Sequence, residues 1–198
     1  MNRATWLSRA HHPIVATIKR ENVMAFLVGK EAPDFSSDVS LPGGEFGKIS
    51  LSQYRNKKYV VLFFYPLDFT FVCPSEIIAF SNRIDEFNNR NTQVIGCSVD
   101  SKYSHWAWRN TPVNKGGIGD VKYPLIADIT KKIAEDYGVL YNGSVALRGT
   151  FLVDKNGLVR HAVVARLAGS AAVAAVVHRP AVAGEHGVAG GGARRAGG

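Results

Sequence analysis

The chain has 198 residues, 46% of them hydrophobic and 20% charged, which suits one globular domain with a buried core. Its net charge of +8 divides as +3 in residues 1–23, +3 in residues 165–198 and only +2 in residues 24–164, so the middle predicts no basic face for nucleic acid. No apolar run approaches the roughly 20 residues that cross a bilayer, and the two cysteines match neither a disulfide scaffold nor a zinc motif, so the expectations are a reducing compartment, no membrane and no metal.

Residues 1–23 hold no acid before Glu21 and mix Arg, Ser, Ala and His, a composition similar to an organellar transit peptide. A disordered extension and a start codon misassigned upstream of Met24 are the other two readings. The folded part is expected over 24–164. Tyr59 to Tyr65 is a continuous β-branched and aromatic run, as in a strand buried on both faces, and Pro66 ends it. From Cys73 to about Phe87 the apolar residues Ile77, Phe80, Ile84 and Phe87 recur at helical spacing, with Asn88-Asn89 marking the exit. Thr92 to Val99 predicts a second buried strand, Ser101 to Asn110 a helix, Tyr123 to Ile126 a short strand, and Thr130 to Tyr137 a helix ended by Gly138. Thr150 to Val153, the turn Asp154-Lys155-Asn156-Gly157, and Leu158 to Val164 predict a hairpin. Alternating strands and helices followed by a hairpin imply an α/β fold, a mixed sheet flanked by helices that resembles the thioredoxin-like plan. From Ala165 the composition narrows almost to Ala, Val, Gly, Arg and His, with seven glycines between Gly184 and Gly198. Residues 165–198 are therefore expected to form a low-complexity, mostly disordered tail.

Cys73 is the candidate for chemistry. The thiolate is the nucleophilic form of cysteine, and a thiol at its ordinary pKa is mostly protonated at neutral pH. Pro74 is favoured at the start of a helix, so Cys73 is expected at a helix N-terminus, near the free amides of Ser75 and Glu76 and the positive end of the dipole. Cys73-Pro74-Ser75-Glu76 has the form of a capping box with sulfur in place of a hydroxyl. Thr70 stands three residues before Cys73, close enough across a turn to donate and accept hydrogen bonds. Pro66 closes the pocket with a ring that donates no proton, and Phe63, Phe69 and Phe71 are expected to form an apolar wall against water. Glu76 alone would oppose a thiolate and calls for a neighbouring cation. Cys97, inside an apolar strand, is expected to be structural.

Phe63 to Glu76 (FFYPLDFTFVCPSE) resembles the active-site segment of the peroxiredoxins, closest to the typical 2-Cys type that includes alkyl hydroperoxide reductase C and the thioredoxin peroxidases. The likeness runs from about Val28-Gly29-Lys30-Glu31-Ala32-Pro33 through Gly96 to Ser101 and on to Arg160-His161. It implies that Cys73 is the peroxidatic cysteine, activated by Pro66, Thr70 and Arg148, the last matched through Val145 to Thr150, with Glu76 holding the arginine. It implies a thiol-specific peroxidase that reduces hydrogen peroxide and alkyl hydroperoxides, serves antioxidant defence, needs no cofactor, and is recycled by thioredoxin or a similar thiol reductant as a homodimer or decamer. Gly116 to Gly119 resembles a loop associated with sensitivity to over-oxidation. A cytoplasmic location follows, or a mitochondrial one if residues 1–23 are a transit peptide.

The family's 2-Cys members carry a resolving cysteine near the C-terminus, whereas this chain has no cysteine after Cys97. The family's final helix and C-terminal arm also have no counterpart beyond Val164, and the change at Ala165 looks like a shifted reading frame or a truncated gene product. An oxidised Cys73 would then need an external thiol or Cys97 for turnover, and loss of the last helix would expose one face of the sheet. A holdase-like chaperone or peroxide sensor is the alternative function, with a thiol-disulfide oxidoreductase third, since Cys73 lacks a CxxC partner.

Overall fold

The structure, a computed structural model, describes residues 27–70 and 73–165, with the side chain of Cys73 outside that description. The expectations for residues 1–23, for the tail from 166 on and for what it leaves uncovered lie outside the described residues.

A seven-stranded mixed sheet is the frame, in the order β2-β1-β5-β4-β3-β8-β9. Its centre is β3 (Tyr59–Phe64), paired in parallel with β4 (Thr92–Ser98) on one side and antiparallel with β8 (Arg148–Val153) on the other. β5 (Leu125–Ala127) lies parallel to β4, and β9 (Val159–Ala165) closes the hairpin with β8. Every β3 residue after Tyr59 is fully buried, which is why the sequence there is continuously apolar. Val61 and Phe63 face one layer with Val94 and Leu125, against α1 (Cys73–Asn82), α2 (Ile84–Asn89) and α3 (Lys102–Asn110). Val60, Leu62 and Phe64 face the other layer with Ile95, Cys97 and Ile126, against Ile133 and Ala134 of α4 (Lys132–Asp136).

The predicted long helix is broken. Arg83 leaves helical geometry (φ −106°, ψ 14°), and the chain restarts as α2. Ile77, Phe80, Ile84 and Phe87 still enter a single core, so the apolar period runs through the break and hides it. α4 is shorter than predicted, because Asp128 caps it: its carboxylate accepts from the amides of Ile133 (3.2 Å) and Ala134 (2.8 Å), and Lys131 before it is left-handed. Two hairpins went unpredicted. β1 (Ser36–Ser40) and β2 (Phe46–Ser50) pair antiparallel at the sheet edge, and β6 (Leu140–Tyr141) pairs with β7 (Val145–Ala146). β1 is Ser36-Ser37-Asp38-Val39-Ser40, so its polar residues conceal the strand. Buried Arg109 of α3 holds it, donating to Ser40 Oγ (3.1 Å), Ser40 O (3.0 Å) and the carbonyls of Val121 and Tyr123.

Gly96, in the middle of β4, lets β3 and β5 close around it. A Cβ there would stand 2.7 Å from Leu125 Cδ2 and 2.9 Å from Phe63 Cζ. Gly96→Ala should therefore cost about 1–3 kcal/mol through overpacking. The check is the urea midpoint with the unfolding slope held fixed, and an unchanged midpoint would contradict the close approach.

Candidate active site

Cys73 is the first residue of α1, Pro74 the second, and Glu76 lies in the first turn. The sequence-predicted helix start is therefore present, and the backbone of Cys73 stands at the end of the helix where amides lack partners. The segment from β3 to α1 leaves the carboxyl end of the central strand, and β4 and β5 end beside it. In open α/β sheets that rim is where ligands meet the fold.

Glu76 and Arg148 come from distant parts of the chain and meet there. Arg148 Nη1 donates to Glu76 Oε2 at 2.9 Å, with the two side chains 12% and 8% exposed. Burial holds the Glu76 carboxyl above its ordinary range, while the guanidinium pulls it back down. Pro66 and Thr70 are half-buried on the loop, and Thr70 Oγ1 donates to Leu67 O at 3.2 Å. The apolar wall needs correction. Phe63 points into the core and stacks on Phe80 with ring centroids 4.6 Å apart. Phe69, at φ 54°, is 53% exposed, its ring 5.7 Å from that of Trp108. Phe71 lies outside the described residues. The buried place in this stretch belongs to Asp68, whose hydrogen bonds turn it inward while Phe69 turns out.

Asp68 is the residue the sequence reading missed. Its carboxylate accepts from Tyr65 Oη (3.0 Å) and Ser104 Oγ (2.8 Å) and faces His105 Nδ1 (2.8 Å). Its backbone amide donates to Asp100 Oδ2 (2.9 Å), which also accepts from Ser98 Oγ (2.6 Å). Burial raises the Asp100 carboxyl, with the charge of Asp68 adding to the effect, and pushes the Tyr65 hydroxyl well up. A usable signal existed: His105 shares a helical face with Trp108 and Arg109, a polar ring among residues bound for the interior.

A family model described as the AhpC/TSA family matches residues 28–162. The chain belongs to that family. It is 54% identical over 142 residues to the chloroplastic 2-Cys peroxiredoxin BAS1 of Spinacia oleracea, covering 71% of this chain and 53% of that protein. It is also 54% identical over 139 residues to alkyl hydroperoxide reductase C of Helicobacter pylori, with 70% of each covered. The reduced 2-Cys peroxiredoxin of Plasmodium vivax superposes with a TM-score of 0.75 at 52% identity, over 76% of this chain and 78% of that one. The chain thus spans about half the length of its spinach relative, and the family match stops just before Ala165.

In this AhpC/TSA chain the second cysteine is remote from α1. Cys97 is fully buried in the layer that holds α4, the sheet separates that layer from α1, and burial pushes its thiol well up. An aqueous thiol reagent should titrate Cys97 only after denaturation. Labelling of Cys97 in the native protein, located by peptide mass, would contradict its burial.

Breaking the ion pair has a signed pH dependence. A buried carboxyl with a raised pKa binds its proton more tightly folded than unfolded, so stability is lost as pH rises through the folded value. Arg148→Met leaves Glu76 buried without its cation and should cost about 3 kcal/mol near neutral pH. That deficit should shrink as pH falls and Glu76 takes up a proton. Chemical denaturation at two pH values reads it, and an equal deficit at both would show that the charge is not what the arginine compensates.

Proposed function

We propose that this chain is a thiol-dependent peroxidase acting on hydrogen peroxide and alkyl hydroperoxides through Cys73. The observation that carries the reading is the buried Arg148–Glu76 pair, which brings a fixed cation from β8 to the first turn of the helix that Cys73 begins. Helix N-terminus and guanidinium together favour the thiolate, the form that attacks an O–O bond. The sulfur bonds to one peroxide oxygen and the O–O bond breaks. The other oxygen leaves as hydroxide or alkoxide and takes a proton to become water or an alcohol; Cys73 is oxidised to the sulfenic acid. Arg148, whose delocalised charge cannot be lost near neutral pH, is placed to support both thiolate and leaving oxygen. Thr70 offers a hydroxyl for the peroxide, and Pro66 offers no proton.

The names of the relatives, a 2-Cys peroxiredoxin and an alkyl hydroperoxide reductase, support the reaction class. The recycling agent this reading carries is an external thiol, thioredoxin or a similar reductant, since Cys97 lies behind the sheet. A homo-oligomer is the assembly this reading carries, and the cytoplasm its compartment, with the mitochondrion as the alternative. Among the described residues no helix is long and apolar enough to cross a membrane, and no group of three His, Cys, Asp or Glu could hold a metal ion. Nothing there favours the holdase reading.

With an excess of dithiothreitol the protein should consume hydrogen peroxide continuously, and without it one equivalent per chain, leaving sulfenic acid on Cys73. Cys73→Ser should abolish both. Peroxide loss that persists in the folded Cys73→Ser protein would sink the proposal.

A further inference from the structure

Asp68 stands in the middle of the loop that carries Pro66 and Thr70, yet its side chain is only 1% exposed. A carboxylate buried so completely survives only when paired and fully hydrogen-bonded. Here the contacts come from two elements at the sheet's carboxyl rim, the exit of β3 and α3. Tyr65, at the exit of β3, donates to Oδ1, while Ser104 and His105 of α3 meet Oδ2. The loop backbone is tied as well, through Asp68 N to Asp100 just after β4. His105, fully buried, carries the chain of contacts on to β5: its Nε2 lies 2.9 Å from Ile126 O, a group that only accepts, so Nε2 must bear the proton. The 2.8 Å contact between Nδ1 and Asp68 Oδ2 completes a clamp across β3, β4, β5 and α3.

The next residue shows why such a clamp is needed. Phe69 sits at φ 54°, a left-handed conformation that costs a bulky side chain of order 1 kcal/mol or more. It gains no compensating burial, since it is half exposed. Backbone held in a sparsely populated region persists when its surroundings over-determine it. Asp68 provides that, one residue before the strain and two before Thr70.

We propose that Asp68 and His105 are positioning residues for the peroxide reaction. Their buried side-chain contact fixes the path from Pro66 to Thr70, and so places the Thr70 hydroxyl and the start of α1 relative to Arg148. Neither residue is assigned a contact with peroxide. The inference rests on the peroxidase reading, and it adds a second buried side-chain contact, from α3, to the one that Arg148 and Glu76 make.

Asp68→Asn keeps the shape and removes the charge that receives three donors. Ser104→Ala removes one donor from the half-buried edge of the cluster and spares the Asp68–His105 contact. Three quantities separate positioning from simple stability: the stopped-flow rate constant of Cys73 with hydrogen peroxide, its rate of alkylation by iodoacetamide at a pH that ionises the thiol fully, and the thermal midpoint. In Asp68→Asn the peroxide rate should fall at least about tenfold in the folded protein, as misplacement of a reacting centre does. Alkylation, which needs only a reachable thiolate, should stay within about twofold. Ser104→Ala should lower the peroxide rate about two- to threefold with alkylation unchanged, and it decides the matter if Asp68→Asn does not fold. Peroxide rates that match wild type in the folded variants overturn the proposal, as does a parallel fall of both rates with the thermal midpoint. A wild-type protein whose Cys73 alkylates readily but ignores peroxide instead overturns the peroxidase reading itself.

Discussion

The register between β3 and β8 is the constraint on which the site depends. The two strands are antiparallel, with Phe64 opposite Gly149, so the end of β3 lies beside the beginning of β8. Arg148 therefore stands where the chain leaves β3 for the loop. Side chains alternate along a strand, and Arg148 shares its face with Thr150 and Leu152, the face covered by α1. A slip of one residue would turn the guanidinium into the layer of α4 and leave Glu76 buried against nothing. Close packing resists such a slip: a Cβ on Gly149 would meet Val164 Cγ2 at 2.9 Å and Val139 Cγ1 at 3.0 Å. Only glycine fits between β9 and Val139 at that point, so the residue after Arg148 holds the register that aims it.

Two buried side-chain contacts then grip the loop and the helix it feeds, one from β8 and one from α3. Arg148–Glu76 ties β8 to the first turn of α1, and Asp68–His105 ties the loop to α3 and, through Ile126, to β5. Neither is an economical way to stabilise a fold, because removing charges from water costs several kcal/mol per ion and apolar packing would do as well. What buried charge provides in exchange is fixed geometry, since each partner is satisfied in only one arrangement. The contrast with Arg109 is instructive. That guanidinium is equally buried but spends its donors on the carbonyls of Ser40, Val121 and Tyr123, joining β1 to its neighbours far from the loop. Side chains of similar character thus serve the scaffold in one place and the candidate site in another. Only their position relative to the carboxyl rim of the sheet separates the two roles.

Much of this was legible in the sequence where hydrophobic periodicity is strong. The strands at 59–64 and 92–98, α3, and the final hairpin emerged because burial on one or both faces imposes its pattern on the residues. β1 did not, since edge pairing with polar side chains leaves no such pattern. The break at Arg83 was hidden for the opposite reason, as the apolar spacing continues through it. Cys73 at a helix start was readable from Pro74, a local rule, and Glu76 could be seen to need a cation. Asp68 was not readable from its own neighbours, because its partners Ser104 and His105 lie more than thirty residues away, and the one trace stood on α3, in His105 on the face of Trp108 and Arg109. An aspartate between Leu67 and Phe69 looks like a solvated loop residue until the fold brings α3 over it.

The location of Cys97 bears on what the proposed peroxidase could do alone. Within a single chain, a disulfide between the two cysteines would require their Cα atoms within about 7 Å with side chains converging. Cys97 lies in β4, paired on one side with Phe64 and on the other with Ile126, and its side chain points into the α4 layer. To reach the α1 face it would have to rotate through the sheet, breaking ladder hydrogen bonds to both neighbours and opening a fully buried part of the core. Such openings occur near the global unfolding free energy rather than as local fluctuations. On the peroxidase reading, an oxidised Cys73 therefore waits for a thiol other than Cys97. Its fate depends on whether that thiol or a second peroxide arrives first, because a second oxidation carries the sulfur to sulfinic acid.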